Sequence, residues 1–225
     1  MSRDFDGASN HMQTVTAAAL DILGDITLAA WINPDTISGV DTIMRKRDAA
    51  GNGGYHLDLN NGLVRISVMN VGTQYVQPSA LAVTAGSWAH VAGRKLGTGA
   101  GSLIPYINGV AANSGGNAVA NQTASTGNLF IATTSDGSGR FDGRIAECAI
   151  WSAALDDAEI AALGKGFTPD MIRPQSLVYY VPLEGDDTQC QRELRNSLTA
   201  FLNGTPVRAD RPRLITPSPA VYLPA

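Results

Sequence analysis

The sequence predicts an all-β fold, a sandwich of two antiparallel sheets with one short helix. Short segments in which apolar and polar residues alternate recur along the chain, and clusters of glycine or asparagine bound each of them, which is typical of sandwiches. The 225 residues include 24 glycines and 11 prolines, which fits short strands joined by many turns. A chain of this length can bury a large core without disulfides, so we expect one large β domain, or a domain with an extension.

Composition excludes several functional classes. Charged residues make up 16% of the chain and the formal net charge is -4, which leaves no basic surface for nucleic acid and no polybasic segment for a membrane. No apolar run approaches the roughly 18 residues that a membrane-spanning helix needs. The first residues lack the features of a secretion signal, so we expect synthesis in the cytoplasm.

Two cysteines without CxxC spacing argue against a zinc site or a redox pair. Cys148 is expected to be buried and Cys190 to be a free thiol, with a disulfide between them left open.

The strands can be placed in order along the chain. Residues 26–32 are apolar on both faces, as in a strand that is covered on both sides. Residues 55–59 alternate, and the turn Asn60-Asn61-Gly62 leads into the apolar positions of 64–68, which predicts a hairpin. Asn108-Gly109 predicts a second tight turn. Further strands are expected at 88–94, 102–107, 129–133 and 144–151.

One helix is predicted at residues 156–163. Asp156 is a good N-cap and Glu159, three residues later, completes a capping box. Gly164 is a suitable C-terminal stop. The helix therefore interrupts the strands near the end of the predicted sandwich.

The last quarter of the chain has a different character. Residues 177–183 form a clear strand, but 205–225 contain five prolines and neither a helical nor an alternating pattern. Because proline cannot donate to a strand ladder, this segment should lie extended on a surface or protrude. We divide the chain into a sandwich at 1–206 and a proline-rich tail at 207–225.

Several short motifs follow one another in a fixed order over residues 3–163. They are Phe5-Asp6-Gly7-Ala8-Ser9-Asn10, the strand 26–32, Gly54-Tyr55-His56-Leu57, the segments 87–92, 106–110 and 141–147, and the helix start 155–160. The ordered series resembles the laminin-G-like branch of the concanavalin A-like jelly-roll family, which is related to pentraxins and legume lectins. The resemblance implies a two-sheet jelly-roll sandwich of a kind usually found outside cells.

The strand at 177–183 stands in an unexpected place for that family. Family members usually open, before the Phe-Asp-Gly strand, with an apolar strand that ends near Pro-Leu/Phe-Asp-Gly and precedes an Asn/Gly-rich stretch. Here 177–185 and 196–206 resemble those two segments at the other end of the chain. We interpret the chain as a circular permutant, because the termini of a domain often lie close together. The alternative is a chance strand in a separate C-terminal extension.

The histidines give no sign of catalysis. His11, His56 and His90 have no serine or cysteine nucleophile in a motif such as GxSxG. His90 is interpreted as a strand residue that satisfies its own hydrogen bonds. His56 alternates with core residues and is expected to face solvent.

The carboxylates do not form a glycosidase pair. Glucanases on this sandwich carry carboxylates two residues apart on one strand face, because acid and nucleophile must flank one bond. Asp58 stands alone in its strand, and Glu184, Asp186 and Asp187 lie in a predicted loop. The glycine-rich run at 97–101 leads into a strand and lacks a following lysine, so it predicts a hairpin loop rather than a phosphate site. We therefore predict no catalytic residues and no enzyme.

A calcium site remains open. The resemblance implies a site between the Phe-Asp-Gly strand and an Asp-Glu pair on the last strand, but here that pair reads Ala146-Glu147. Asp6, Asp142 and Glu147 are the candidate ligands, since calcium takes carboxylate and carbonyl oxygens. Aspartate at a turn usually makes local hydrogen bonds instead. We predict no metal ligands and no cofactor.

The basic cluster Arg45-Lys46-Arg47 is predicted to lie solvated in a hairpin loop. The alternative is a contact with an acidic partner or a glycan.

Two non-catalytic functions are compatible with these features. The first is a structural or decoration protein of a virion, such as a tailed bacteriophage, because a virion protein needs no secretion signal, anchor or disulfide framework. Its tail would contact other virion proteins or a second copy, and its location would be the virion. The alternative is a free-standing carbohydrate-binding module whose partner is a cell-surface glycan. The sequence favours this less, since only 6% of residues are aromatic and Trp31, Trp88 and Trp151 lie in predicted strands.

Overall fold

The computed structural model describes residues 2–48, 52–112, 119–184 and 193–215. These residues confirm the predicted all-β sandwich of two antiparallel sheets with one short α-helix. None of the helices in these ranges has the length and apolar character needed to cross a membrane. The strands are β1 (Ser2–Asp6), β2 (His11–Thr14), β3 (Ile26–Pro34), β4 (Val40–Lys46), β5 (Tyr55–Asn60), β6 (Leu63–Asn70), β7 (Thr73–Ala82), β8 (Ala89–Lys95), β9 (Leu103–Ile107), β10 (Val110–Ala111), β11 (Leu129–Ile131), β12 (Asp142–Trp151), β13 (Leu177–Val181), β14 (Ala200–Asn203) and β15 (Val207–Ala209). The helix α1 spans Asp157–Gly164, and 3-10 helices span Ala18–Leu20 and Pro169–Met171.

The strands form two sheets that pack face to face. Sheet A has the order β10-β9-β8-β3-β12-β1-β15, and β13 also pairs with β12. Sheet B has the order β14-β2-β11-β4-β5-β6-β7. Alternate side chains of both sheets fill the space between them; Leu57, Ile66 and Val91 are fully buried there. This is the period-two pattern of the sequence expressed as packing.

The turn and helix signals were accurate. At the Asn60-Asn61-Gly62 turn, Asn61 has φ 50° and Gly62 has φ 77°, the left-handed conformations that a two-residue hairpin loop requires. The predicted helix is confirmed one residue later, as α1. Asp156 accepts the Glu159 amide and the Glu159 carboxylate accepts the Asp156 amide, each at 2.8 Å, so the capping box is complete. A Cβ on Gly164 would lie 2.5 Å from the Gly109 nitrogen, so the helix end packs directly against the second tight turn.

A second apolar cluster joins α1 to the outer face of sheet A. Ile160 and Leu163 of the helix pack with Tyr106 and Trp151 of the sheet. The Trp151 indole nitrogen donates to the Ile172 carbonyl at 2.9 Å, which satisfies its polar atom inside the cluster. Sheet A is therefore covered on both faces.

The strand predicted at 177–183 is part of the sandwich. Observed as β13, it pairs with β12 from Cys148 to Trp151, while β1 pairs with the same side of β12 from Asp142 to Ile145. The two strands therefore lie end to end beside β12. Downstream, β14 pairs with β2 at the edge of sheet B and β15 pairs with β1 at the edge of sheet A.

The predicted boundary between residues 206 and 207 falls directly before β15. Residues 207–209 thus pair with the sandwich, and 216–225 lie outside the described residues. The division of the chain into a domain and a tail stays a prediction.

Two buried lysines fasten the loop that contains residues 119–127. The Lys46 ammonium lies 3.0 Å from the Asp21 carboxylate and also donates to the Ser125 carbonyl. The Lys95 ammonium lies 2.8 Å from the Asn121 side-chain oxygen. Both lysines are fully buried, so their charges depend on these partners.

A buried carboxylate lies beneath the C-terminal segment of the helix. Glu147 occupies a bulge in β12 with φ 56°, and its carboxylate accepts the Tyr180 hydroxyl. With Trp31 and His90 it lines a small enclosed cavity. Burial raises the pKa of Glu147 to about 7, although the Tyr180 hydrogen bond opposes the shift. Below about pH 7 the uncharged form is therefore favoured in the folded protein.

We expect truncation after Gly166 to destroy the fold. The fragment would lack β13, β14 and β15 and would expose core and a sheet edge. Each large apolar side chain lost from β13 contributes about 1.5–3 kcal/mol by its burial, which is large against a total stability of about 5–15 kcal/mol. The buried side chains of β13 are Leu177, Tyr179, Tyr180 and Val181. Solubility and thermal melting monitored by circular dichroism would test this.

A chain that ends at Ile215 keeps every described strand and serves as the control. The expectation fails if the fragment 1–166 is soluble and melts cooperatively, in which case the C-terminal quarter is a separate appendage.

We expect Glu147→Gln to remove a pH dependence of stability. Because the folded pKa lies above the ordinary value of 4.5, the folded state binds more protons than the unfolded state between about pH 4.5 and 7. The stability of the native protein should therefore fall as pH rises through this window, by an amount of the order of 3 kcal/mol. Glutamine keeps the acceptor for Tyr180 and has no charge to bury, so the variant should be the more stable protein at pH 8.

Urea unfolding of both proteins at pH 5 and pH 8 measures this difference. Asp210→Asn, at an exposed site directly after β15, is the matched control and should show the pH dependence of the native chain. Identical pH profiles for the native protein and Glu147→Gln would show that Glu147 does not titrate in this range.

Candidate functional site

The outer faces of the two sheets differ in what covers them. The helix α1 and the second apolar cluster cover sheet A. Within the described residues, no helix packs in the same way on the outer face of sheet B. That face carries partly exposed side chains on β2, β4, β11 and β14, and its residues can be identified strand by strand.

A polar row crosses β5 and β6. Leu57 and Leu59 point into the core, so His56 and Asp58 point outward from β5. Directly opposite them on β6 stand Ser67 and Arg65. The row therefore pairs a carboxylate with a guanidinium across two strands.

The row is held by hydrogen bonds. Arg65 donates to both oxygens of Asp58, from Nε to Oδ1 at 2.7 Å and from Nη2 to Oδ2 at 2.9 Å. Such bidentate pairs are among the strongest polar contacts in proteins. Burial raises the pKa of Asp58 and the contact with Arg65 lowers it. The Gln74 amide nitrogen lies 3.0 Å from Nε2 of His56. The row is thus rigid before any ligand arrives.

His56 is neutral at physiological pH. Burial, followed by the charges of Arg45 and Arg65, lowers its pKa to about 3. The 3.7 Å separation between His56 and Asp58 is therefore a contact of a neutral ring with a carboxylate, rather than an ion pair. A neutral ring accepts the Gln74 hydrogen bond at Nε2, which places its proton on Nδ1.

The expectation that His56 faces solvent was wrong. His56 does lie on the outer face, but it is buried because side chains of neighbouring strands pack beside it. Asp58 is the single carboxylate of β5, as expected, and Arg65 pairs with it from the next strand. The signal was present in the turn: counting outward from Asn61-Gly62 places residue 58 opposite residue 65.

An aromatic patch lies at the other end of sheet B. We use this name for His11, Phe130 and Phe201, which β2, β11 and β14 contribute. The rings of His11 and Phe130 have centroids 6.3 Å apart and are tilted by 40°. Phe130 and Phe201 both stand opposite Gln13, one on each side of β2. Phe201 is 49% exposed.

The basic cluster lies in a strand, which corrects the prediction of a hairpin loop. Arg45 and Lys46 are the last two residues of β4. Their side chains alternate, so Lys46 is buried while Arg45 and the following Arg47 point outward. The two arginines line a cleft of about 270 Å³ together with Asp48, Ser135 and Asp136. Of the three basic residues, Lys46 is the one whose charge is buried and bonded inside the fold.

The structure does not bring the candidate calcium ligands together. Asp6 and Asp142 are paired across β1 and β12, but the Glu147 carboxylate lies elsewhere, against Tyr180. The Asp6 carboxylate accepts the amides of Ala8, Ser9 and Asn10 at 2.8–3.0 Å. Burial acts to raise its pKa, but these hydrogen bonds outweigh burial and hold the pKa well below its usual range. Within the described ranges no group of three acidic, histidine or cysteine residues could hold a metal ion. Calcium binding itself is untested.

The expectation for His90 was wrong in part. Its backbone amide is bonded to Asn108, but Nδ1 is buried without a partner in the described structure. The ring lies edge-on to Trp31, 5.5 Å between centroids, in the enclosed cavity near Glu147. Burial lowers the pKa of His90 to about 3, so the unpaired nitrogen belongs to a neutral ring.

The remaining candidates are the two cysteines and the acidic residues after β13. Cys148 is buried with a free thiol, as expected. Glu184 is exposed and lies 3.2 Å from Arg211, and Asp186, Asp187 and Cys190 lie outside the described residues.

The tryptophans contribute nothing to the open face of sheet B. Trp151 is in the core, as predicted, and Trp31 is half-buried on β3. Trp88 lies just before β8, so its placement in a strand was wrong.

Comparison with known proteins agrees with the architecture. No curated protein matches the sequence. A candidate carbohydrate-binding protein from Bacteroides ovatus has a similar structure, with a TM-score of 0.67 and 19% identity over 90% of this chain, which spans 58% of that protein. The CBM40 of the Ruminococcus gnavus IT-sialidase, bound to α2,3-sialyllactose, has a TM-score of 0.57 and 16% identity, over 73% of this chain and 98% of that domain. Domain 4 of the Geobacillus stearothermophilus arabinanase AbnA, in complex with arabinotriose, has a TM-score of 0.56 and 21% identity, over 72% of this chain and 76% of that domain.

These structural similarities agree with the fold, and the match of the sequence to a family model establishes the family. The model of the concanavalin A-like lectin/glucanases superfamily that is named Laminin_G_3 matches residues 6–161, more than half of the chain. The protein belongs to the concanavalin A-like lectin/glucanases superfamily.

Proposed function

We propose that the protein is a non-catalytic carbohydrate-binding module that binds a glycan on the outer face of sheet B. The observation that carries the proposal is the aromatic patch, which shares the outer face of sheet B with the hydrogen-bonded polar row and is separated from it by β4. Sugar rings present apolar C–H faces that stack on aromatic rings, and their hydroxyls pair with fixed polar groups. Both kinds of group are present on one surface here.

The rigidity of the polar row supports this function. Asp58 and Arg65 hold each other in place through two hydrogen bonds, and Gln74 holds His56. A site whose side chains are already fixed loses less entropy when a ligand binds. His56 and Asp58 are buried, so a ligand can reach the row at Arg65 and Gln74, which these hydrogen bonds hold in place beforehand.

The comparisons point in the same direction. The Ruminococcus and Geobacillus domains are described with bound oligosaccharides, and the Bacteroides protein as a candidate carbohydrate-binding protein. These likenesses support a binding role for this chain as a proposal.

Hydrolysis is not part of the proposal, although the superfamily includes glucanases. Cleavage of a glycoside needs two carboxyl groups on either side of the bond. Arg65 holds Asp58, and Thr134 and Ser138 hold Asp136 in its own turn. Burial raises the pKa of Asp41 to about 6, but Asp41 stands opposite Leu59 and points to the core side of β4. None of these three carboxyl groups is free to act on a bound sugar.

A role in a virion stays a prediction. None of the similar proteins named above is a virion component, and residues 216–225, which would contact neighbours, lie outside the described residues. The virion location is likewise untested.

We also propose that the chain is a circular permutant of its family. The family match ends at residue 161, yet β13, β14 and β15 complete the same two sheets. Ala209 of β15 pairs with Ser2 of β1, so the two ends of the described sandwich are neighbours. The family order would join them by a turn and would open the chain between α1 and β13.

We expect the full chain to bind oligosaccharides on a glycan array and in calorimetric titration. Phe130→Ala and Phe201→Ala should each weaken binding by up to about tenfold, because each removes a stacking surface. Val207→Ala shortens a 68% exposed apolar side chain on sheet A and should leave binding unchanged. Chromatography of the incubated ligands should show no cleavage products.

Absence of binding across the array, or full affinity in both phenylalanine variants, would disprove the proposed site. Cleavage of the bound glycan would overturn the non-catalytic assignment.

We expect a rearranged chain in the family order to fold. This chain begins at Gln175, runs to Asp210, continues through a short glycine-rich loop into Ser2 and ends at Pro174. Pro174 and Gln175 are exposed, so opening the chain there removes little packing. Its melting curve should be cooperative and within several degrees of the native one.

A rearranged chain with the same loop but opened between Leu57 and Asp58, inside β5, is the control and should not fold. Failure of the first rearranged chain to fold would count against the permutation.

A further inference from the structure

We propose that the cleft beside β4 binds the carboxylate of an acidic sugar, so that the module selects glycans containing uronic or sialic acid residues. We call this the arginine cleft, lined by Arg45, Arg47, Asp48, Ser135 and Asp136. The inference rests on the proposed function and adds the chemical class of ligand.

The arginine cleft contains donors without acceptors. Arg45 and Arg47 point outward two positions apart on β4 and its extension. In the described part of the chain, neither guanidinium makes a hydrogen bond or an ion pair, and Nε of Arg45 is shielded from solvent without a partner. Both residues are partly exposed, so an acceptor can approach the other guanidinium nitrogens from outside. The planar guanidinium matches a carboxylate with two parallel hydrogen bonds.

The acidic residues of the cleft are already engaged. Asp136 accepts hydrogen bonds from the Thr134 hydroxyl and from the amide and hydroxyl of Ser138, which hold its pKa well below its usual range. Asp48 accepts the amide of Asn52 at 2.8 Å. Neither carboxylate lies within ion-pair distance of the two arginines, so the guanidinium hydrogens remain available to a ligand.

The two arginines lie close enough to repel each other, although Asp136 and Asp58 act in the opposite direction on Arg45. Burial and then the charge of Arg47 lower the pKa of Arg45. The same arginines, after burial, contribute to the lowered pKa of His56, which stands opposite Arg45 on β5. Crowded positive charges of this kind are relieved by an anion. His56 stays neutral, so the positive charge beside the cleft comes from the arginines.

The arginine cleft and the aromatic patch are positioned for one sugar unit. Phe130 stands directly opposite Arg45 on the neighbouring strand, and cross-strand neighbours lie about 5 Å apart. A pyranose ring has a similar width. A ring stacked on Phe130 therefore directs a substituent at its edge towards Arg45 and Arg47.

Calorimetric titration of the full chain with acidic glycans and their neutral methyl esters tests this inference. Suitable probes are short oligomers of galacturonate, glucuronate and mannuronate, together with sialyllactose. At least one acid should bind about tenfold or more tightly than its ester, since the ester keeps the ring and loses the charge. Added salt should reduce this difference.

Arg45→Gln and Arg47→Gln should each weaken binding of the acid by about tenfold and leave binding of the ester nearly unchanged. Arg208→Gln makes the same change of charge at an exposed site on β15 of sheet A and is the matched control.

Each other outcome has a definite meaning. Equal affinity for acid and ester, or unchanged affinity in both arginine variants, overturns the arginine cleft but leaves the proposed function in place. Tighter binding of sulfated or phosphorylated sugars than of carboxylated ones also overturns it. Absence of binding to any glycan, acidic or neutral, overturns both.

Discussion

Sheet A depends on the pairing of one strand, β12. On one side β12 pairs with β3 over nearly its whole length, and on the other side β1 and β13 divide it between them. The division falls at Glu147, whose backbone amide donates to the Pro182 carbonyl at 3.2 Å. Alternate side chains of β12 pack into the main core and into the cluster beneath α1. Segments from opposite ends of the chain are thus made adjacent by one central strand, and both cores depend on it.

The sequence predicts the elements whose signals are local. Two tight turns, a capping box and the alternation of β5 and β6 depend on neighbouring residues, and the structure confirms them. Six strands escaped the analysis: β7 contains Pro78, β10 has only two residues, and β2, β4, β14 and β15 are short or lack a clear alternation. Their pairing is decided by distant partners, which a local pattern cannot show.

The candidate site shows the same limit more clearly. The pairing of Asp58 with Arg65 follows from the register of a two-residue turn, so a sequence argument could have reached it. The aromatic patch could not be found in this way, because residues 11, 130 and 201 lie on three strands far apart in the chain. The arginine cleft was not predicted, because three consecutive basic residues, Arg45-Lys46-Arg47, are typical of a solvated surface loop. The strand divides them into two outward cations and one structural cation.

The burial of Lys46 and Lys95 has a practical consequence for the handling of this protein. The chain contains three lysines, and the third, Lys165, is exposed at the end of α1. Reagents that acylate lysine side chains therefore reach one site in the folded molecule, on the side of sheet A. A dye, biotin or solid support attached through Lys165 leaves the opposite sheet unobstructed, since α1 packs on the outer face of sheet A.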